Sequence, residues 1–315
     1  MRAPLTVALI SGGISSEREV SLKSGDQVYA AIDKDKYRVL RYDPQTDIGR
    51  LVADAALIDV ALIILHGQFG EDGTVQGLLD LLGIPYQGSG VLGSAIAMDK
   101  LVSKQLYETS GIPTPAYITI HRDDGSKVET CLERIGLPLV IKPAKGGSSI
   151  GMAIVKTRDS LEPAIREALR YGDTLVVETY IQGTELTVGV FGNRDITALP
   201  VIEIIPDTRY EFFDYHAKYL PGASQEICPA RIDDTLTEKA QTYAVMAHRA
   251  LFCEGYSRTD MMLKDRELYV LETNTIPGMT ETSLLPRAAK TAGISFSRLM
   301  DILIELGMES RPKRA

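Results

Sequence analysis

Apolar and polar positions alternate along the chain in a pattern that changes character once. LTVALISGG, beginning at Leu5, is an apolar run that stops in glycines and reads as a strand. EREVSLKSGDQVYAAI follows with helical spacing, which puts Val20, Ser24, Val28 and Ile32 on one face. YRVLRYD reads as a second strand. IDVALIILHG reads as a third, apolar enough to be buried on both faces. GTVQGLLDLLG is a helix closed by Gly83, and IPYQGSG turns after it. Strand and helix in alternation predict a parallel sheet with covering helices.

The second pattern begins near Ser94. SAIAMDKLVSKQLYETSG predicts one helix ending at Gly111, and Pro113 and Pro115 block its continuation. LPLVIKPAKGGSSIGMAIV is strand, glycine and serine loop, strand; helix LEPAIREALR and strand TLVVETYI follow. ELTVGVFG and ALPVIEII alternate as antiparallel strands do. DTLTEKAQTYAVMAHRALFCEG predicts a long helix closed by glycine. RTDMMLKDRELYVLETN predicts a hairpin through Lys264–Arg266, and LLPRAAKTAGISFSRLMDILIELGM two helices. Thr208 to Ile227 is polar with little periodicity and reads as a long loop, of the kind that often covers or binds a ligand.

Composition narrows the classes. The 315 residues suit two or three packed domains. With 44% hydrophobic and 24% charged residues, the chain has the make-up of a soluble globular protein. A net charge of -8 argues against nucleic acid as partner, although a local basic cleft can still hold phosphates. Cys131, Cys228 and Cys253 lie far apart with no CxxC pair, which reads as buried free thiols in a reducing compartment. The first residues, MRAPLTVALISGG, lack a cleavage-site pattern, and no apolar run approaches membrane-spanning length. Neither a signal peptide nor a membrane span is expected.

Three places carry candidate chemistry. In KPAKGGSSIG, Lys142 to Gly151, glycines let backbone N–H groups approach an anion. Ser148 and Ser149 add donors there, and Lys142 and Lys145 add charge. The segment is not a Walker A loop, and an ordinary hairpin tip is the alternative. At the predicted hairpin, Asp260 and Glu272 fall on adjacent strands, with Arg258 on the face of Asp260 and Asn274 on that of Glu272. Two carboxylates so placed repel unless a cation lies between them, and these oxygen ligands suit Mg2+; a solvated hairpin face is the alternative. His66 ends the third strand, where loops of parallel sheets form crevices. Glu17, in the loop after the first strand, is either a functional acid or a helix cap. The first loop lacks a dinucleotide fingerprint, and His121, His216 and His248 show no zinc-ligand spacing.

Taken together, GGISSEREVSLKSG, HGQFGEDGTVQGLLDLLGIPYQGSG, MDK, KPAKGGSSIG, EFFDYHAKYLPG, GYSRTD and LETNTIPGMTETSLLP resemble the D-alanine–D-alanine ligases of the ATP-grasp superfamily. These segments run in the family's order from residue 12 to residue 286. The resemblance implies an α/β chain with an ATP-grasp fold and an N-terminal, Rossmann-like parallel-sheet domain. It implies domains over 1–93, 94–186 and 187–315, the last carrying metal ligands and an omega loop. It implies that ATP phosphorylates the carboxylate of one D-alanine and that the amine of a second attacks the acylphosphate.

Residue by residue, Glu17 resembles the group on the first substrate's ammonium, with His66 beside it. Lys100 and Lys142 resemble the phosphate lysines, and Ser148 the serine of the loop above them. Glu178, Tyr180, Ile181 and Glu185 fall where the family holds adenine and ribose, with Phe212 and Met262 against the base. Lys218 and Tyr219 match the omega-loop pair. Asp260, Glu272 and Asn274 match ligands for two Mg2+ ions, which Mn2+ can replace; Arg258 matches the oxyanion arginine, and Gly278 and Ser283 the second-substrate positions. Tyr180 stands where tryptophan is common, and Thr273 where a smaller residue is. The resemblance also implies a cytoplasmic homodimer. The alternatives are a ligase for D-lactate or D-serine, a non-catalytic binding protein on the same fold, and a carboxylase of the wider superfamily. A tyrosine rather than a histidine at 219, and the presence of Lys142, Arg258, Asp260 and Glu272, favour the dipeptide ligase.

Overall fold

Leu5–Ser11 (β1) lies at the centre of a parallel sheet between Tyr37–Tyr42 (β2) and Val60–Ile64 (β3), as the opening alternation predicts. The structure, a computed structural model, describes residues 4–124, 127–147, 150–206 and 224–311. Period-two geometry divides the strand residues between two cores. Val7, Leu9, Val60, Leu62 and Ile64 face one apolar cluster, and Ala8, Ile10, Ala61 and Ile63 the other. β3 is therefore buried on both sides along its whole length. Helices Arg18–Ala31 (α1), Ile48–Ala53 (α2) and Thr74–Leu82 (α3) belong to this unit. α1 buries Ser21, Ser24, Gly25 and Val28, and α3 ends on Gly83 in the left-handed conformation that glycine tolerates.

The predicted helix from Ser94 to Gly111 is two helices. Val91–Met98 (α4) stops at Asp99, whose backbone is extended, and Lys100–Thr109 (α5) starts from it. The Asp99 carboxylate accepts from the amides of Leu101 and Val102, satisfying donors that a helix start leaves open. Asp99 also bridges to Lys145 of the glycine-rich loop. The break thus fixes where Lys100 begins its helix.

Tyr117–His121 (β4), Leu139–Pro143 (β5), Ala153–Val155 (β6) and Thr174–Thr179 (β7) form an antiparallel sheet in the order β4-β7-β5-β6. Val128–Arg134 (α6) and Arg158–Ala168 (α7) supply Cys131, Leu161 and Ile165 to its core. The remaining strands are Thr184–Phe191 (β8), Thr197–Ala198 (β9), Ile202–Pro206 (β10), Ser224–Ile227 (β11), Tyr256–Lys264 (β12) and Glu267–Asn274 (β13). They form a second sheet in the order β11-β10-β8-β12-β13, with β9 on β8. The expected loop over 208–227 therefore ends in a strand, and most of that segment lies outside the described residues. Divisions at 93/94 and 186/187 would fall inside α4 and β8.

Asp234–Ala250 (α8) packs on the second sheet through Ala240, Ala244 and Ala247. It does not end on glycine as expected: Leu251 caps it, and Phe252 takes the left-handed turn at φ 55°. Leu284–Thr291 (α9) packs on β8, with Leu285 against Gly189, and Phe296–Ser310 (α10) packs on β3; Leu284, Leu285, Leu299 and Leu303 join one cluster with Val7, Leu62, Leu199 and Ile202. The end of the chain thereby closes over its beginning and ties the last unit to the first.

Candidate active site

The two antiparallel sheets enclose a cavity of about 520 Å³. Val140 and Ile154 line one wall, Ile204, Met262 and Leu271 the other. Flat apolar walls with a polar edge suit a planar base, because side chains can stack on its faces while its edge finds donors and acceptors. The chain passing from β7 to β8 supplies that edge: Glu178, Tyr180, Ile181 and Glu185 all line the cavity, as does Met262. Lys100, Lys142, Asp260 and Glu272 stand in the same cavity. Sequence reasoning missed Val140, Ile154, Ile204 and Leu271, since each reads as an ordinary strand residue until the sheets face each other.

Lys142 and Glu178 are strand neighbours, β5 against β7, and Lys142 Nζ donates to Glu178 Oε1 at 2.6 Å. On the far side Lys104 Nζ lies 2.6 Å from Glu178 Oε2. Burial pushes the Glu178 carboxyl up, but the two lysines outweigh it and hold it below its ordinary range. Lys104 was not among the candidates. Its signal was available, since it lies one helical turn after Lys100 in MDKLVSK.

The hairpin of β12 and β13 brings its acids together. Asp260 pairs with Glu272 in register, and the register shifts between Asp260 and Met261. Arg258 grips Asp260 with two bonds, Nε to Oδ1 at 2.9 Å and Nη2 to Oδ2 at 2.8 Å. Thr187 Oγ1 donates to Oδ1 at 2.6 Å and Asn274 Nδ2 to Oδ2 at 3.1 Å. Lys100 Nζ stands 4.0 Å from Glu272 Oε2. Thr273 faces away from these ligands. It is buried, receives the Tyr107 hydroxyl at 2.8 Å, and meets Thr259 at 3.1 Å. A larger residue between the two ligands is thus accommodated by a polar chain behind the sheet. Among the described residues no three His, Cys, Asp or Glu side chains gather as a metal cluster. The corner offers two carboxylates and an amide, a hard-oxygen set that fits Mg2+ when phosphate oxygens complete the shell.

A second group forms where the parallel sheet meets this corner. Glu17 occupies the position before α1 yet makes no side-chain cap, so the capping alternative fails. Its side chain is 6% exposed. A methyl group built on Gly67 would come within 2.8 Å of Glu17 Oε2, and one on Gly147 within 3.5 Å. The carboxylate therefore sits between the turn after β3 and the glycine-rich loop. His66 is buried, and its Nδ1 faces the Ile276 carbonyl oxygen at 3.2 Å. A carbonyl can only accept, so Nδ1 carries the proton and Nε2 is left as an acceptor. That Nε2 is buried without a hydrogen-bond partner among the described residues. Burial lowers the imidazole's proton affinity, with Glu17 opposing and Arg258 adding to the effect. Glu71, which sequence reasoning also missed, accepts from the Gly67 amide at 2.7 Å. Burial, then the Glu17 charge, push its carboxyl up to about 8. Gly278 and Ser283 lie in one turn: Ser283 Oγ lies 2.7 Å from Thr280 Oγ1 and accepts from the Thr280 amide at 3.1 Å. A side chain on Gly278 would crowd that hydroxyl at 3.1 Å. A cavity of about 280 Å³ opens beside Ser15 and His66. Ser148, Ser149, Phe212, His216, Lys218 and Tyr219 lie outside the described residues.

Two antiparallel sheets closing on a nucleotide-shaped slot, with lysines and a carboxylate corner inside and a parallel-sheet unit alongside, define an ATP-grasp enzyme. Family models described as D-ala D-ala ligase C-terminus and N-terminus match residues 106–305 and 41–89. The chain belongs to the D-alanine–D-alanine ligase family. The D-alanine–D-alanine ligase of Syntrophobacter fumaroxidans is 61% identical over 305 residues, covering 97% of this chain and 98% of that protein. The crystal structure of the Bacillus anthracis D-alanine–D-alanine ligase complexed with ATP superposes with a TM-score of 0.86 at 38% identity, covering 98% of both chains. The VanG D-Ala:D-Ser ligase of Enterococcus faecalis superposes with 0.84 at 32% identity, over 96% of this chain and 99% of that one.

Proposed function

We propose that the described groups divide one two-step ligation between them, with ATP in the 520 Å³ slot and the two amino acids between Glu17 and Ser283. The chain is an ATP-dependent D-alanine–D-alanine ligase, an activity that makes a peptidoglycan precursor. In the first step a carboxylate oxygen of the first D-alanine attacks the γ-phosphorus of ATP, the bond to ADP breaks, and D-alanyl phosphate forms. In the second the amine of the other D-alanine attacks the acyl carbon, phosphate leaves, and the nitrogen gives up a proton.

The single observation that carries this reading is the shared corner: Asp260 and Glu272 line the nucleotide slot, and Arg258, bonded to Asp260, also lies close enough to His66 and Glu71 for its charge to act on both. ATP chemistry and amino-acid binding thus meet at one arginine. Glu17 and the Nε2 of His66 offer acceptors for the first substrate's ammonium. Lys100 and Lys142 place positive charge at the phosphates, where phosphoryl transfer needs neutralisation. Lys218, Ser148 and Tyr219 join them on this reading, with Phe212 against the base. Arg258 stabilises the oxyanion of the tetrahedral adduct more than the planar acyl group before it. The Gly278 amide and Ser283 hydroxyl receive the second carboxylate. Asp260, Glu272 and Asn274 would hold two Mg2+ ions, or Mn2+, which supply charge neutralisation to the phosphates when bound.

Buried Cys131 and Cys253 support a reducing, cytoplasmic setting. No helix among the described residues is long and apolar enough to cross a membrane. We read the working form as a homodimer, and light scattering that returns 34.4 kDa at micromolar concentrations would reject that. The acylphosphate route is tested with D-alanine carrying 18O in its carboxylate. One labelled oxygen must appear in the released phosphate; phosphate free of label would rule the route out.

A further inference from the structure

Glu178 holds two lysines, and only one of them reaches the nucleotide slot. Lys142 and Glu178 line that cavity, whereas Lys104 does not. Lys104 lies behind, on α5, with 0% exposure. Its ammonium meets Glu178 Oε2 at 2.6 Å, Thr114 Oγ1 at 2.7 Å and the Pro115 carbonyl at 3.5 Å, and it stands 5.2 Å from the Tyr117 ring. Burying an ammonium costs several kcal/mol before its partners offset it, and a methionine would fill the same volume without that cost. A fully buried lysine here therefore calls for a reason beyond packing.

The charge count supplies one. Lys142 with Glu178 alone would be a neutral, closed pair. Any move of Lys142 toward a phosphate would then strand a buried carboxylate, which is the expensive outcome for a buried pair. Two lysines on one carboxylate change the balance. Each takes its own oxygen, Lys142 on Oε1 and Lys104 on Oε2, and the group keeps one surplus positive charge facing the slot. Burial pushes the Lys104 ammonium down to about 8; Glu178 and Glu108 oppose that and Lys142 adds to it, so Lys104 stays charged at neutral pH. The helix enforces the arrangement. Lys100 and Lys104 are four residues apart on α5, so one face sends Lys100 toward Glu272 and Lys104 behind Glu178.

We propose that Lys104 is a positioning residue of the nucleotide site: it keeps Glu178 paired from behind, which leaves the charge of Lys142 available to the ATP phosphates. This rests on the assignment of the slot to ATP. Lys104 touches no substrate and acts through Glu178.

Steady-state kinetics on the full-length enzyme test it. Lys104→Met should raise the KM for ATP at least tenfold and leave the KM for D-alanine within twofold. A merely structural lysine would instead lower kcat and thermal stability with the KM for ATP unchanged, and that result overturns the proposal. Lys104→Met/Glu178→Gln removes the fully buried ammonium together with the carboxylate it would strand and leaves Lys142, which lines the slot, as the one charge of the three, so it serves where the single variant does not fold. Because Lys104 acts through the Glu178 charge, the double variant should match Glu178→Gln alone in KM for ATP within twofold. A further rise of fivefold or more refutes the proposed route. Lys142→Ala separates the two readings. If it leaves the KM for ATP unchanged, the slot assignment itself fails; if it raises that KM while Lys104→Met does not, only the role of Lys104 fails.

Discussion

Removing the Arg258 guanidinium should weaken the resting protein and the reaction by separate routes, and both sizes follow from the corner's geometry. In Arg258→Met the aliphatic stem survives and the two charge-assisted bonds to Asp260 are lost. The side chains of Arg258 and Asp260 are 12% and 8% exposed, so the carboxylate cannot recover those bonds fully from water. Breaking a buried ion pair from one side costs roughly 3–5 kcal/mol. Asp260 keeps donors from Thr187 and Asn274, which places the loss nearer ~2–3 kcal/mol. At about 2 cal/mol/K of unfolding entropy per residue, that lowers a cooperative transition of this size by roughly 3–5 °C. On the proposed mechanism catalysis loses an oxyanion donor as well, typically a factor of about 10²–10³ in kcat. Differential scanning calorimetry of the ligand-free protein and kcat at saturating ATP and D-alanine read the two effects. Mg2+ with a non-hydrolysable ATP analogue should narrow the gap in melting temperature, because metal charge then takes the place of the guanidinium beside Asp260. A melting point within 1 °C of the parent, or a kcat within fivefold, would refute the reasoning.

Three further outcomes are expected. Glu272→Gln should keep the fold, with an unchanged circular dichroism spectrum, and reduce phosphoryl transfer by at least a hundredfold at ordinary Mg2+ levels; near-normal turnover would remove Glu272 from the metal set. Gly67→Ala combines a positive φ of 71° with a methyl group 2.8 Å from Glu17 Oε2, so it should raise the KM of the first D-alanine several-fold and leave that of ATP alone, as substrate titrations will show. His248 is buried against Ser257 Oγ at 2.7 Å, and burial, then Arg249, push it down to about 4. The unfolded chain binds that proton near pH 6.5, so stability falls as pH drops from about 6.5 to 4, by at most about 1.4 kcal/mol per pH unit from this group. Urea unfolding of His248→Gln should show a shallower slope in that window, and an unchanged slope would contradict the assignment.

The fold was legible wherever periodicity and punctuation agreed. β3 reads as doubly buried from IDVALIILHG and is so. The hairpin predicted at Lys264–Arg266 turns through Asp265 and Arg266, both at positive φ, and sets Asp260 opposite Glu272. The helix break at Asp99 was hidden because capping residue and helix interior look alike when apolar spacing continues through them. The end of α8 was hidden for a different reason. A phenylalanine, Phe252, takes a turn that glycine usually takes, with its side chain exposed, and nothing in its residue type marks that turn beforehand. In the site, polar residues at strand ends were readable one by one. Partners that exist only after long-range closure were not. Lys104 looks like an exposed helix lysine until β7 brings Glu178 against it, and Glu71 looks like a loop acid until Glu17 and the Gly67 amide surround it. The apolar walls of the slot carry no local mark at all, since a strand valine reads the same whether it faces core or base.

Product analysis tests the central claim most directly. The enzyme is supplied with ATP, Mg2+, D-alanine and equal amounts of D-lactate and D-serine at about pH 7.5, and the ligated products are resolved by mass spectrometry. D-Alanyl-D-alanine should dominate, with one ADP and one phosphate formed for each dipeptide and no dipeptide from L-alanine. Depsipeptide or D-alanyl-D-serine in excess of D-alanyl-D-alanine, or no ligated product despite ATP consumption, would contradict the account.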